Sequence, residues 1–505
     1  MSYFLAIDAG TTSIKAAIFD QNGRLLSLTR REYALETPGP AMVELDAEIY
    51  WNSCCEVVRQ AVRESQVQPA EVVSICISSQ GETIVPVDKD GRPSHKAIVW
   101  LDNRSAAQAE EISDHFGMER IYRVTGQPEV APTWPSTKIL WLRQKDPAVF
   151  AQTAYYLLVE DYLLFRLTGQ YVTERGLMTT SLFVDLNTRQ WWPEMFDYVG
   201  ITPNQLGRLM DPGMAVGPLS PDGAEAMGLT RHTLAVTGSM DQSIGAIGSG
   251  NIAAGMATES TGGALVVVST INQPVFDPQR RLPCYFHARK DFYALLPWGQ
   301  TAGIALRWFR DEFFQVECGV AANAGLDAYD LMTYPAASVP AGSDGLIVLP
   351  HLEGAACPEF NRSARAVFFG ATLRHTRAHF TRAILESVAY MLRKNLEIVE
   401  RVGGPMREIR SIGGGARSRL WLQIKADVLQ KPVTTVDVEE AACLGAAMLG
   451  AVAAGCFASL EEASLAMVRV RDHLEPNPAN ASVYQEGYAA YVELYDRLEP
   501  MFRRG

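Results

Sequence analysis

The chain carries the same short device twice: an apolar strand, a turn of glycine and hydroxyl residues, and a second apolar strand. The first copy runs Phe4-Leu5-Ala6-Ile7, then Asp8-Ala-Gly-Thr11-Thr12-Ser13-Ile-Lys15, then Ala16-Ala17-Ile18-Phe19. The second runs through residues 257–259, the turn Ser260-Thr261-Gly262-Gly263, and residues 264–269. Short apolar runs bounded by polar turns read as buried strands. Asn22-Gly23 is a strong hairpin signal and returns the chain as a third strand over 24–33. A hairpin of this kind opening each half predicts an α/β protein of two related domains. At 505 residues, 48% of them hydrophobic, the chain is also too long for one ordinary core. The boundary is expected where glycines cluster, at 243–256, giving domains 1–245 and 246–505.

Between these devices the patterns alternate. A helix is predicted over 46–64, with Trp51, Cys55, Val58 and Val62 on one face. Strands are predicted at 72–78, 84–87 and 97–100, and at 234–237, which leads into Gly238-Ser239-Met240-Asp241. Long helices are expected at 379–401 and 420–429. The Ala- and Gly-rich run 441–454 reads as a tightly packed helix.

The formal charge of −12 makes nucleic acid a poor partner, because like charges repel. Eight scattered cysteines without a C-x-x-C pair fit reduced, packed thiols rather than a disulfide or zinc framework. The N-terminus lacks the basic start and long apolar run of a signal peptide, and no apolar stretch reaches the ~18 residues of a membrane span. The expectation is a soluble, cytoplasmic protein.

Several motifs place chemistry at strand ends, and each has a plain structural alternative. Thr11, Thr12, Ser13 and Lys15 can hold phosphate oxygens around a glycine turn. Asp8 would repel bare phosphate, but it suits Mg²⁺ held through water, since Mg²⁺ favours carboxylate plus phosphate oxygens. An ordinary polar hairpin is the alternative. No Walker A spacing, G-x-x-x-x-G-K-[ST], occurs. Gly413-Gly414-Gly415-Ala-Arg417-Ser418 at a strand–helix junction leaves room for a flat ligand, or is a plain turn. Asp241 is either a helix N-cap or a general base for a substrate hydroxyl. Ser78-Ser79-Gln80-Gly81-Glu82 and Trp100-Leu101-Asp102-Asn103-Arg104 offer an apolar ring and polar groups suited to a sugar. A solvated loop with a structural Asp–Arg pair is the competing view.

Taken together and in this order, these pieces resemble the FGGY carbohydrate kinases, the family of glycerol kinase and xylulokinase. The resemblance covers residues 3–456. Asp8-Ala-Gly-Thr-Thr is similar to the family's first phosphate hairpin and Ser260-Thr261-Gly262-Gly263 to its second. Ile412-Gly-Gly-Gly-Ala-Arg-Ser-Arg-Leu-Trp421 resembles the adenosine motif of xylulokinases. Lys138-Ile-Leu-Trp141-Leu and His379-Phe380-x-x-Ala383-Ile384-Leu385-Glu386 resemble the two family signatures, with departures at Thr133, Lys145 and Ala371. The resemblance implies two actin-like, ribonuclease-H-like domains with nucleotide and sugar meeting in a cleft, and ATP and Mg²⁺ as cofactors. It implies Asp241 as catalytic base and Asp8 as the metal-associated carboxylate. Thr11, Thr12, Ser13, Lys15, Thr261 and Gly262 then hold phosphates, and Gly303, Gly414, Gly415 and Ser418 line the nucleotide site. Gly81, Glu82, Trp100, Asp102, Arg104, Thr133 and Gln242 match sugar-pocket positions. A homodimer is a family-level expectation.

The substrate is less sharply indicated. Glycerol kinases carry an arginine where this chain has Gly81, followed by a glutamate that is kept as Glu82. Xylulokinases typically carry Met-His at the same two positions. D-xylulose is the first expectation, with L-xylulose, L-ribulose, a tetritol, gluconate and glycerol open. Gluconate is disfavoured if Glu82 faces the substrate, since two carboxylates repel. A chaperone-type ATPase or a non-catalytic sugar-binding regulator on the same fold would lack Asp241 or one phosphate turn.

Overall fold

The computed structural model describes residues 2–438 and 440–504. They pack into two units. One comprises the chain as far as Ala254, with Thr270–Ala294 and Glu440–Arg469. The other comprises Gly255–Ser269, residues 295–438 and the chain from Val470 onward. The first unit thus runs past the expected limit at 245 and takes two segments from the expected second domain.

The first unit is built on a six-stranded sheet in the order Ala215–Pro218, Leu234–Met240, Val72–Ser79, Tyr3–Ala9, Ser13–Phe19, Leu25–Glu32. Leu234–Met240, Val72–Ser79 and Tyr3–Ala9 are mutually parallel, and the last three strands form the expected antiparallel meander. Leu5, Ile7 and Ala9 pack with Tyr50, Cys54 and Val58 of helix Ala47–Ser65 in one core. Asp46 caps that helix by accepting from Glu48 N at 3.0 Å. Helix Ala441–Ala453 packs on Tyr3–Ala9, Val72–Ser79 and helix Asp241–Gly248. Its buried small residues, Gly445 and Ala446 among them, allow that approach and explain why so late a segment belongs to the first unit. A parallel sheet covered in this way has near-continuous apolar strands, which is what the sequence shows.

The second unit repeats the plan. Met256–Thr261 pairs antiparallel with Leu265–Ile271 and parallel with Glu408–Ile412. Val433–Val436 adds in parallel and Val470–Leu474 antiparallel. Helices Arg377–Gly403 and Arg419–Leu429 pack together.

Two strand limits differ from expectation. The strand expected over 97–100 is only Ala97–Ile98, so Trp100 lies in a turn. The strand expected to stop at 237 continues through Met240, which puts Asp241 directly at its end. Cys54, Cys55, Cys76, Cys284, Cys318, Cys443 and Cys456 are not joined in disulfides. Among the described residues, no helix is long and apolar enough to cross a membrane.

Candidate active site

In the first unit the carboxyl ends of three parallel strands meet at one edge of the sheet. Asp8 is in register with Ser78, and Ser78 in turn with Ser239. Such an edge is where open α/β sheets bind ligands. Here it gathers Asp8, the segment from Ser78 to Glu82, and Asp241.

Asp241 is the first residue of helix Asp241–Gly248, and Met240 occupies the cap position. The N-cap alternative is therefore set aside. The half-buried carboxylate accepts the N–H of Gln242 at 2.6 Å. Burial raises its pKa to about 7, helped by the charges of Asp8 and Glu82 and opposed by the Gln242 N–H. A carboxyl group poised near neutrality suits a general base.

Asp8 and Lys15 face each other across the first hairpin in register, 3.7 Å apart. Lys15 also donates to Glu440 Oε2 at 2.6 Å, and the Ser78 hydroxyl to Asp8 Oδ1 at 3.2 Å. Burial raises the Asp8 pKa, with Lys15 opposing. The turn is braced by Gly10 N donating to Ser13 O at 3.0 Å and Tyr33 N to Thr12 O at 3.0 Å. The Trp100 indole N–H donates to Thr11 Oγ1 at 2.7 Å, leaving the Thr11 hydroxyl proton free for another acceptor.

Glu82 holds a left-handed backbone, φ 62°, an uncommon state for a residue other than glycine and one that clusters at functional sites. Buried Lys138 holds it by donating to the carbonyls of Glu82 at 3.0 Å and Val99 at 2.9 Å. Burial raises the Glu82 pKa and lowers that of Lys138, each opposing the other's shift. Gly81 has room: a Cβ there would lie 3.8 Å from Met240 Sδ and 3.9 Å from Thr180 Oγ1. Thr133 is half-buried in the turn ahead of helix Pro135–Lys145, which carries Lys138.

Asp102 and Arg104, expected to touch the substrate, are instead committed to each other. Asp102 is fully enclosed, and it accepts from Arg104 Nη2 at 2.7 Å and from Val43 N at 2.5 Å. Arg104 also bonds Glu44 Oε1 at 2.7 Å and lies 5.0 Å over the Trp141 ring. The structural Asp–Arg pair is the reading these bonds support, and its effect is to fix the loop that presents Trp100.

Sequence reasoning missed the acids behind Asp241. Buried Glu160 accepts Gly238 N at 2.7 Å, and buried Glu174 accepts Gly176 N at 2.7 Å and Leu177 N at 3.0 Å. Burial pushes the Glu160 pKa well up and that of Glu174 to about 7. Thr180, on the short helix that follows Glu174, stands beside Glu82 and opposes the rise in its pKa. No motif marks these residues, because a buried acid is identified only once its backbone partners are known.

In the second unit, Thr261, Gly262, Gly303, Gly414, Gly415 and Ser418 all line one cavity of about 310 Å³. These are the second-half residues expected at the nucleotide. Gly303 is required there, since a Cβ would fall 2.2 Å from Gly262 O, to which Gly303 N donates at 3.0 Å. Ser418 also caps helix Arg419–Leu429 by accepting from Trp421 N at 3.3 Å. The sequence reading missed other residues that line the cavity, Arg307, Asp327, Tyr329 and Thr333 among them.

Comparisons with known proteins identify the family. Residues 3–248 match the N-terminal domain, and residues 260–454 the C-terminal domain, of the FGGY family of carbohydrate kinases. A gluconokinase of Bacillus subtilis is 31% identical over 99% of this chain and 97% of its own length. A xylulose kinase of the same organism is 29% identical over 99% of this chain and 98% of its own. A ligand-bound xylulose kinase from Lactobacillus acidophilus superposes with a TM-score of 0.90 at 25% identity, covering 100% of each chain. With both family domains present in order along the chain, the protein belongs to the FGGY carbohydrate kinases and is a sugar kinase.

Proposed function

We propose that this kinase transfers the γ-phosphoryl group of ATP to a hydroxyl of a neutral ketopentose, D-xylulose first among them. The observation that carries the reading is the Asp241 carboxyl, held near neutral pKa beside the acidic groups Asp8 and Glu82. Asp241 takes the proton of the attacking hydroxyl; the new O–P bond forms as the bond to the β-phosphate oxygen breaks and ADP leaves. Thr11, Thr12, Ser13 and Lys15 meet the transferring phosphoryl group, and the glycine-lined cavity of the second unit holds the nucleoside. Among the described residues, no cluster of three His, Cys, Asp or Glu side chains forms a metal cage. Asp8 alone is the kind of ligand Mg²⁺ takes together with phosphate oxygens, where the ion would neutralise phosphate charge.

The acidity of the pocket supports a neutral substrate. Asp241, Asp8 and Glu82 raise the cost of a further carboxylate, and Lys15, the cation beside Asp8, is assigned to the phosphoryl group. The likeness to a gluconokinase favours a second reading, an aldonate such as gluconate. ADP release coupled to a reporter, with ATP saturating and pentuloses, polyols and aldonates compared, separates the two. The first reading predicts kcat/KM for D-xylulose more than ~10-fold above gluconate. The reverse order would establish the aldonate reading, and no sugar-dependent ADP release with any of them would defeat both.

A further inference from the structure

Beneath the second glycine turn lies a pair of opposite charges with no exposed side-chain surface. Lys425 Nζ is 2.6 Å from Glu259 Oε1, and both side chains are 0% exposed. Lys425 also donates to Thr261 Oγ1 at 3.0 Å. The Thr261 hydroxyl donates to Glu259 Oε2 at 2.6 Å, and the Ser411 hydroxyl donates to Glu259 Oε1. Four side chains from Met256–Thr261, Glu408–Ile412 and Arg419–Leu429 thus close one buried network. A buried ion pair is a weak source of stability, because desolvation offsets the attraction. Its location gives it another use.

Thr261 lines the glycine cavity. The carbonyl of Gly262 next to it accepts from Gly303 N at 3.0 Å, and that of Gly263 from Ala302 N at 2.9 Å. Gly415 comes so near that a Cβ on it would be 2.7 Å from Thr261 Cβ. Thr261 therefore sits where the glycine turn, which bonds the head of helix Gly303–Phe313, meets the 413–415 run. Its single hydroxyl proton goes to Glu259 and is not offered to a ligand.

We propose that Glu259 and Lys425 are positioning residues for the nucleotide's phosphates: they lock Thr261 as a strut and so set the turn that faces the phosphate chain. The proposal rests on the reading of this cavity as the nucleotide site. The pair is formally neutral, so what it supplies is geometry rather than field. Removing the ammonium alone leaves the Glu259 carboxylate buried without its counter-charge and frees the strut.

The test compares wild type, Lys425→Met and the double variant Glu259→Gln/Lys425→Met by titration calorimetry with ATP, ADP and AMP. Lys425→Met is expected to weaken ATP and ADP ~10-fold or more while AMP changes by less than ~3-fold, and to leave the sugar KM unchanged. A merely structural loss would weaken AMP in parallel. The double variant keeps amide hydrogen bonds to Thr261 and Ser411 and leaves no unpaired charge; its ATP-to-AMP affinity ratio is expected between those of wild type and the single variant. It carries the test if Lys425→Met fails to fold. A folded Lys425→Met binding ATP within twofold of wild type, ATP and AMP affinities falling together, or a double variant with the wild-type ratio would overturn the proposal. Wild type that binds no ATP would instead overturn the assignment of the cavity.

Discussion

The ammonium of Lys15 lies 2.6 Å from Glu440 Oε2, joining the first hairpin to the head of helix Ala441–Ala453 across 425 positions of sequence. It holds a cation beside Asp8 at the turn assigned to the transferring phosphoryl group. A compact point charge on a flexible stem can shift from a carboxylate to a phosphate. Lys15→Met is expected to raise the ATP KM by ~10-fold or more, with less than ~3-fold change in sugar KM; Glu440→Gln, which keeps the ammonium, should change the ATP KM by less than ~3-fold. Initial rates with each substrate varied in turn check both.

The raised pKa of Asp241 gives a pH profile with a definite sign. The base acts only when ionised, so kcat/KM for the sugar should rise with pH and level off above an inflection at about 7. Glu82 is one cause of the upward shift, so Glu82→Gln should move the inflection to lower pH. A flat profile from pH 5 to 9 would argue against Asp241 as the titrating base.

Buried Glu160 makes stability depend on pH. Its folded pKa lies well above the ordinary carboxyl value, so the folded state binds the extra proton. Its contribution to stability is complete below about pH 4 and is lost as pH rises toward the folded value. Glu160→Gln removes that titration while keeping an acceptor for Gly238 N–H. The fall in apparent Tm between pH 5 and pH 8 should be smaller in the variant, as measured by differential scanning calorimetry.

Gly81 leaves space next to Met240 and Thr180. No atom crowds the position of a Cβ, so Gly81→Ala should fold normally and retain activity. Gly81→Arg fills the space and is expected to lower kcat/KM for the ketopentose by ~10-fold or more, while reducing that for glycerol far less. Equal losses for both would remove Gly81 from the specificity pocket.

What the sequence made legible was whatever is encoded locally. The two hairpins and the glycine run at 413–415 follow from strand periodicity and turn chemistry within short windows; the six second-half nucleotide residues are implied by the family resemblance, and the structure brings those six to one cavity. What stayed hidden depends on pairing across long separations. The bond from Lys15 to Glu440, the brace from Glu160 to Gly238 and the pair Glu259–Lys425 join residues 425, 78 and 166 positions apart. Asp102 and Arg104 show another limit: the residues alone leave ligand contact and a structural pair both open, and it is Glu44, from a distant strand, that completes a buried pair. The same holds for Asp241, whose helix-cap alternative was excluded only when the preceding strand proved to run through Met240.

The central claim is that Asp241 is the base of a sugar kinase, and Asp241→Asn tests it most directly. Asparagine keeps the shape and the Gln242 contact but cannot take the hydroxyl proton. The variant should bind sugar and ATP within ~3-fold of wild type by calorimetry while kcat falls by ~100-fold or more, the scale of lost general-base catalysis. A variant that binds both ligands and turns over at the wild-type rate would contradict the assignment.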